Sequence, residues 1–140
     1  MTREPARSIW LPATPPPSSG GRVWELSEIA QLPQVRAELR QLLGDAADPE
    51  LRDRLVLALD EMSSNALRHG GGSVRAAVRR ADAAWLLEVS DGAAAEPPMP
   101  AVGRDPSEGG LGLYLIAELS SAHGWYVEGD AKHVWAVLPA

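Results

Sequence analysis

The chain has no cysteine and no phenylalanine among its 140 residues. Without cysteine there are no disulfides, no thiolate nucleophile and no Cys-ligated zinc. Without phenylalanine the core must rest on Leu, Val, Ala and the five Trp. Positive charge is also scarce, with 13 Lys and Arg against 19 Asp and Glu, for a net charge of −6. Nucleic acids and anionic membranes demand a positive surface, so neither is an expected partner. No apolar run reaches bilayer length, and the first residues lack a signal-like apolar core. The expected location is cytoplasmic.

What is present suits one domain. Residues 1–21 are rich in Pro, Ser and Gly ("PATPPPSSGG") and read as a flexible arm, although Ile9 and Trp10 are apolar enough to dock. The domain proper is expected over 22–140. "RVWEL" reads as a strand. Leu32, Val35, Leu39, Leu42 and Leu43 then recur at helical spacing up to Gly44. Asp48 before Pro49 is an N-cap followed by a favoured first helical residue. From there Leu51, Leu55, Leu59, Met62 and Ala66 form one stripe that ends at Gly70, Gly71 and Gly72. "SVRAAVRR" and "AAWLLEVSD" read as strands around a turn at Ala81–Asp82. The Pro- and Gly-rich residues 92–110 suit a long loop, a length that in compact domains marks function or disorder. "LGLYLIAELSSAH" reads as a helix capped by Gly124, and "WYVEG" and "HVWAVLP" as a closing hairpin. This order predicts an α+β fold, a two-layer sandwich with helices on one face of a mixed sheet.

Three places carry candidate chemistry. Glu61 and Asn65 lie one helical turn apart, and Arg68 continues their face. A carboxamide oxygen there suits a hard cation such as Mg²⁺, and a carboxylate suits a general base. By itself the pair reads as a solvated helix face. Asp91 ends an apolar strand and precedes Gly92; it can accept from an exocyclic amine, or simply make an Asp-Gly turn. Gly109, Gly110 and Gly112 open a helix, where exposed amides at the positive end of the dipole favour phosphate. That turn lacks a P-loop lysine and dinucleotide-fold spacing. Each signal is weak alone; their order supplies base, metal, purine and phosphate contacts in turn.

In that order the motifs resemble the histidine-kinase-like (GHKL) ATPases, the superfamily that includes the gyrase B subunit. "DEMSSNALRHG" is similar to its N box, "VSDG" to its first glycine box and "GGLGL" to its second, across about residues 22–139. The wording and small size look most like the bacterial anti-sigma factor serine/threonine kinases and their stand-alone regulatory relatives. The resemblance implies a Bergerat-type fold and ATP with Mg²⁺ as cofactors. It implies Glu61 as general base, Asn65 as Mg²⁺ ligand and Asp91 with Gly92 at adenine. Gly110, Leu111, Gly112 and Leu113 would bind the nucleotide through the second glycine box. It implies residues 93–108 as a lid, with Arg104 in it as either a phosphate contact or a solvated charge. His69 is either a nucleotide contact or a helix-end histidine. Implied partners are ATP and ADP, a sigma factor, an anti-anti-sigma protein of STAS type, and a second copy of the chain.

The sequence departs from the family at three points. The first glycine box usually runs Asp-x-Gly, and here it runs Asp91-Gly92-Ala93. Near adenine, where many members carry Thr, "AKHVW" brings Lys132 or His133. The lid lacks an evident lysine, which leaves phosphate to backbone amides and Mg²⁺. Two functions therefore stand side by side: a kinase that phosphorylates its partner, or a catalytically weak nucleotide-binding module that acts by sequestration. A split histidine kinase ranks below both, since no phospho-acceptor helix is present.

Overall fold

The computed structural model describes residues 10–95 and 111–139. Strand β1 (Ser19–Leu26) leads into helix α1 (Leu32–Leu43) and helix α2 (Pro49–His69). Strands β2 (Val74–Ala81) and β3 (Ala84–Asp91) follow, then helix α3 (Leu111–Leu119) and strands β4 (Ala122–Glu128) and β5 (Ala131–Pro139). Helix α2 starts as its sequence predicts: the Asp48 carboxylate accepts from the Leu51 amide at 2.8 Å, and Pro49 takes the first helical position. Leu51, Leu55, Leu59, Met62 and Ala66 are all buried along its inner stripe. Helix α1 buries Leu32, Val35, Leu39 and Leu43 but leaves Leu42 exposed, so the apolar stripe is narrower than expected.

The five strands run in the order β1-β2-β3-β5-β4. Every ladder among them is antiparallel, where a mixed sheet was expected. The reason is topological. Strands β3 and β4 run in the same direction, but β5 folds back from β4 and inserts between them, which separates the one pair the α3 crossover would have made parallel. Among the described residues the one parallel pairing is an isolated bridge from Pro12 to Trp125.

The helices cover one face. There Trp24, Leu26, Val74, Ala76, Val78, Leu87, Val89, Val134, Ala136 and Leu138 meet the helix stripes in the main core. The opposite face carries a small second cluster of Ala81, Leu86, Trp135 and Val137. Residues 10–13 tie the two faces together at the β4 edge. Trp10 is 1 % exposed within the main core. Its indole N–H donates to the Leu113 carbonyl at 3.2 Å, and its ring meets that of His123 edge-on at 4.8 Å. The Ala13 amide donates to Trp125, and the Ala13 carbonyl accepts from the Trp135 indole at 2.8 Å.

The helix expected to reach Gly124 stops at Leu119. Ser120 and Ser121 turn their hydroxyls onto backbone carbonyls, the former on Ala117 and the latter on Val137, so the chain leaves the helix and enters β4. Gly124 lies inside that strand rather than at a cap. A Cβ there would stand 2.8 Å from the Ala13 Cβ and 3.1 Å from the Trp135 ring, which shows why a residue without one allows residues 11–13 to lie so close. No helix among the described residues is long and apolar enough to cross a membrane.

Candidate functional site

Helix α2 lies over β3 and β2, and α3 packs beside it. The three sequence motifs therefore sit on neighbouring elements: the middle of α2, the end of β3 and the start of α3. Glu61 and Asn65 are both half-buried, one turn apart on α2, while Arg68 and His69 are exposed in the last turn. The two adjacent carboxylates of α2 differ in their surroundings. Asp60 is held by Arg36 of α1 at 2.6 Å. Glu61 has its carboxyl pushed up from the ordinary range, first by burial and then by the neighbouring Asp60 charge, with Arg68 pulling back. Ser63, fully buried beside them, has no hydrogen-bond partner for its hydroxyl among the described residues.

Asp91 ends β3 with 3 % exposure. One carboxylate oxygen accepts from the Ala93 amide at 2.7 Å, an Asx-type turn that closes the strand. The other faces the Lys132 ammonium at 3.7 Å. Lys132 is the residue paired with Asp91 in the β3–β5 register. Of the side chains in "AKHVW", Lys132 is therefore the one that faces Asp91. Alternation along β5 turns Lys132 to the helix face and His133 to the other. There, the His133 ring nitrogen donates to Glu88 at 2.9 Å, and Tyr126 stacks on the imidazole at 4.6 Å.

The glycine run after α2 does more than end the helix. A Cβ on Gly70 would stand 2.6 Å from the Asp91 carboxyl carbon and from the Ala66 carbonyl oxygen. A Cβ on Gly92 would stand 2.5 Å from the Gly71 carbonyl oxygen, and the Gly92 amide donates to that same oxygen. The end of α2 and the end of β3 thus meet backbone to backbone. The glycine directly after Asp91 has a local reason, because only a residue without a side chain fits against Gly71 at this distance.

Leu111 and Gly112 open α3, and Leu113 is buried in the main core with its carbonyl held by Trp10. Gly110, Arg104 and most of the 93–108 segment lie outside the described residues. Three features of the site escape a reading of motifs alone: the Lys132 partner of Asp91, the glycine seam, and the bond from Trp10 to α3. Pairing "DG" at 91–92 with "GGG" at 70–72, and counting the β3–β5 register, would have pointed to the first two. No local signal points to the third, a contact spanning 103 residues.

A layered α+β domain with a buried carboxylate at a strand end and a Glu–Asn pair on the covering helix has the makings of a nucleotide site. The family model of the histidine kinase-like ATPase domain matches residues 26–138. The chain belongs to that family, whose domains bind ATP and use it as ATPases or kinases. No curated protein matches the chain significantly.

The residues present fit a purine nucleotide. Asp91 offers a fixed, buried acceptor, and Gly70 lets the end of α2 pack directly against it. Asn65 offers a half-buried carboxamide. No cluster of three or more His, Asp or Glu among the described residues could hold a metal by itself. A cation held mainly by phosphates needs few protein ligands, and the Asn65 carboxamide is an oxygen donor of the kind that would suit one.

Proposed function

We propose that this domain is an ATP-dependent protein serine/threonine kinase of the anti-sigma type, cytoplasmic, acting on a STAS-type partner and holding a sigma factor. The observation that carries the catalytic part is the division between the two carboxylates of α2. Asp60 is paired with Arg36, whereas Glu61 is half-buried and its pKa is raised by burial and by the Asp60 charge. A base whose pKa is lifted towards neutrality is better matched to taking a proton from a serine hydroxyl than an ordinary surface carboxylate.

In this reading Asp91 and Gly92 receive the base, and Gly110, Leu111, Gly112 and Leu113 receive the phosphates at the start of α3. Asn65 orients Mg²⁺, and Glu61 accepts the proton of the incoming hydroxyl. Bound Mg-ATP supplies the transferable phosphoryl group and the charge that neutralises it. Trp10 helps to keep α3 in place through the Leu113 carbonyl. The chain's contribution is mainly to position these groups and to hold one proton at the Glu61 carboxylate.

The test is transfer of labelled γ-phosphate from ATP to a purified STAS-type protein. Wild type is expected to label it, and Glu61→Gln to lose about 10²–10⁴ of that rate, the usual worth of a general base. Equal labelling by both proteins would remove Glu61 from the reaction. A second reading, sequestration by a nucleotide-binding module without catalysis, is favoured by the buried Lys132 ammonium that already faces Asp91. It predicts partner release that is the same with and without ATP.

A further inference from the structure

Residues 10–13 clasp the β4 edge and reach the helix that opens the candidate phosphate site. We propose that they form a strap that positions that site: Trp10 is a positioning residue for the first turn of α3, and docking of the strap and binding of the nucleotide's phosphates strengthen each other. The inference rests on the reading above that phosphates meet the start of α3.

Helix α3 is nine residues long. A helix of that length is marginal by itself, so its position depends on what it touches. Leu113 and Ile116 face the main core, while Leu115 and Leu119 are exposed. Apolar burial of this kind decides which side of a helix faces inward, but it is non-directional. The Trp10 indole supplies a directional contact. Its N–H donates to the Leu113 carbonyl at 3.2 Å, on the residue that follows Gly112. A carbonyl oxygen has two lone pairs, so Leu113 accepts the indole without giving up a helical bond. The second glycine box is thereby held next to a fixed point.

The strap is anchored on both faces of the sheet. At one end Trp10 is 1 % exposed in the main core and meets the His123 ring. In the middle the Trp125 amide donates to the Leu11 carbonyl at 3.3 Å, and the Ala13 amide donates to the Trp125 carbonyl at 2.9 Å. At the other end the Ala13 carbonyl accepts from the indole of Trp135, a member of the outer cluster, at 2.8 Å. A strand edge presents unpaired backbone groups, and at Trp125 the strap takes them up. Displacing the strap withdraws a Trp from the core and removes the first-turn contact of α3 in the same event. Strap and helix form one two-state element, which is what coupling between two places on a protein requires.

The test is calorimetric titration of the full chain with ADP and with adenosine, in wild type, Trp10→Phe and Gly124→Ala, with thermal melting to show that each is folded. Trp10→Phe keeps an aromatic ring and loses the donor. Gly124→Ala leaves Trp10 and α3 unaltered, but its Cβ would stand 2.8 Å from the Ala13 Cβ and 3.1 Å from the Leu11 carbonyl oxygen, which pushes the strap off β4. Both variants are expected to bind ADP about two- to tenfold more weakly, the worth of one hydrogen bond, and to bind adenosine, which has no phosphate, as wild type does. A residue that only fills the core would change both ligands alike, or neither. Reciprocally, saturating ADP is expected to slow hydrogen exchange at the wild-type Ala13 amide by the same factor, with no change in β1 at the far edge of the sheet. Equal losses for ADP and adenosine, or ADP affinity unmoved in either folded variant, overturns the proposal. If neither variant folds, or adenosine binds too weakly to titrate, the Ala13 exchange decides, and exchange unmoved by ADP overturns it. Wild type that binds ADP with no response of the strap sinks this inference alone. Absence of ADP binding by folded wild type sinks the nucleotide reading with it.

Discussion

Two successive residues of β5 each pair with an acid on β3, on opposite faces of the same sheet. Lys132 meets Asp91 under the helices, with side chains 8 % and 4 % exposed. His133 meets Glu88 on the outer face, where the two side chains are 21 % and 22 % exposed. The backbone treats the two alike; the helices do not. Under α2 and α3 a charge has little water to fall back on, so it depends on its protein partners. On the outer face solvent shares the load, and Tyr126 adds a hydroxyl that donates to Glu88 at 3.1 Å. The lesson is that burial, more than pairing, decides which charges this fold depends on and which it merely carries.

The sharpest way to break the buried side is Asp91→Ala, which removes the carboxylate opposite the Lys132 ammonium. A loss of about 3–5 kcal/mol in urea unfolding is expected, and the double change Asp91→Ala with Lys132→Met should recover much of it. Next is Gly92→Ala, whose Cβ would stand 2.5 Å from the Gly71 carbonyl. The seam must open, at a cost of about 1–3 kcal/mol by the same unfolding measurement.

On the outer face Glu88→Ala should cost no more than about 1 kcal/mol. Its clearer signature is spectroscopic. The Tyr126 hydroxyl is pushed up to about 12, first by burial and then by the Glu88 charge and the hydrogen bond to it. A raised folded-state pKa means that the fold binds the proton more tightly than the unfolded chain does. This contribution to stability is therefore complete below pH 10 and is lost as pH rises through about 12. Ultraviolet titration should show a late tyrosine in wild type and an earlier one in Glu88→Ala.

The smallest stability effect is expected at the candidate base. Glu61 is also raised in the fold, so its contribution is present below the ordinary carboxylate pKa and is lost as pH rises through the folded value. Once ionised, the half-buried group is a burden, and Glu61→Gln should melt at a temperature equal to or slightly above wild type above the folded-state pKa, while losing phosphoryl transfer. A lower melting temperature would mean that the carboxylate is a structural anchor.

Much of this was legible in the sequence, for physical reasons. Helix α2 announces itself through Asp48, Pro49 and an unbroken stripe, all local signals. The hairpin of β2 and β3 does so through alternation and a turn, with Asp82 taking a positive φ of 53°. The misreadings share one cause, tertiary contact. Gly124 looks like a helix stop and is instead a place where residues 11–13 lie against β4. Leu42 fits the helical spacing, but it is exposed, with no described element over its side of α1. The mixed sheet was a guess about strand insertion, which no residue encodes locally. At the site, Glu61, Asn65 and Asp91 were visible as types at the right spacing. Lys132 was visible only as one of two neighbours, because the choice depends on a register that the whole sheet sets.

The most direct test of the central claim is titration of the folded chain with ADP, with and without Mg²⁺, in wild type, Asp91→Asn and Asn65→Ala. Wild type should bind, Asp91→Asn should bind at least about tenfold more weakly, and Asn65→Ala should lose the Mg²⁺ dependence while keeping the base contact. Binding that ignores both substitutions would place the nucleotide elsewhere, and no binding by folded wild type would contradict the account.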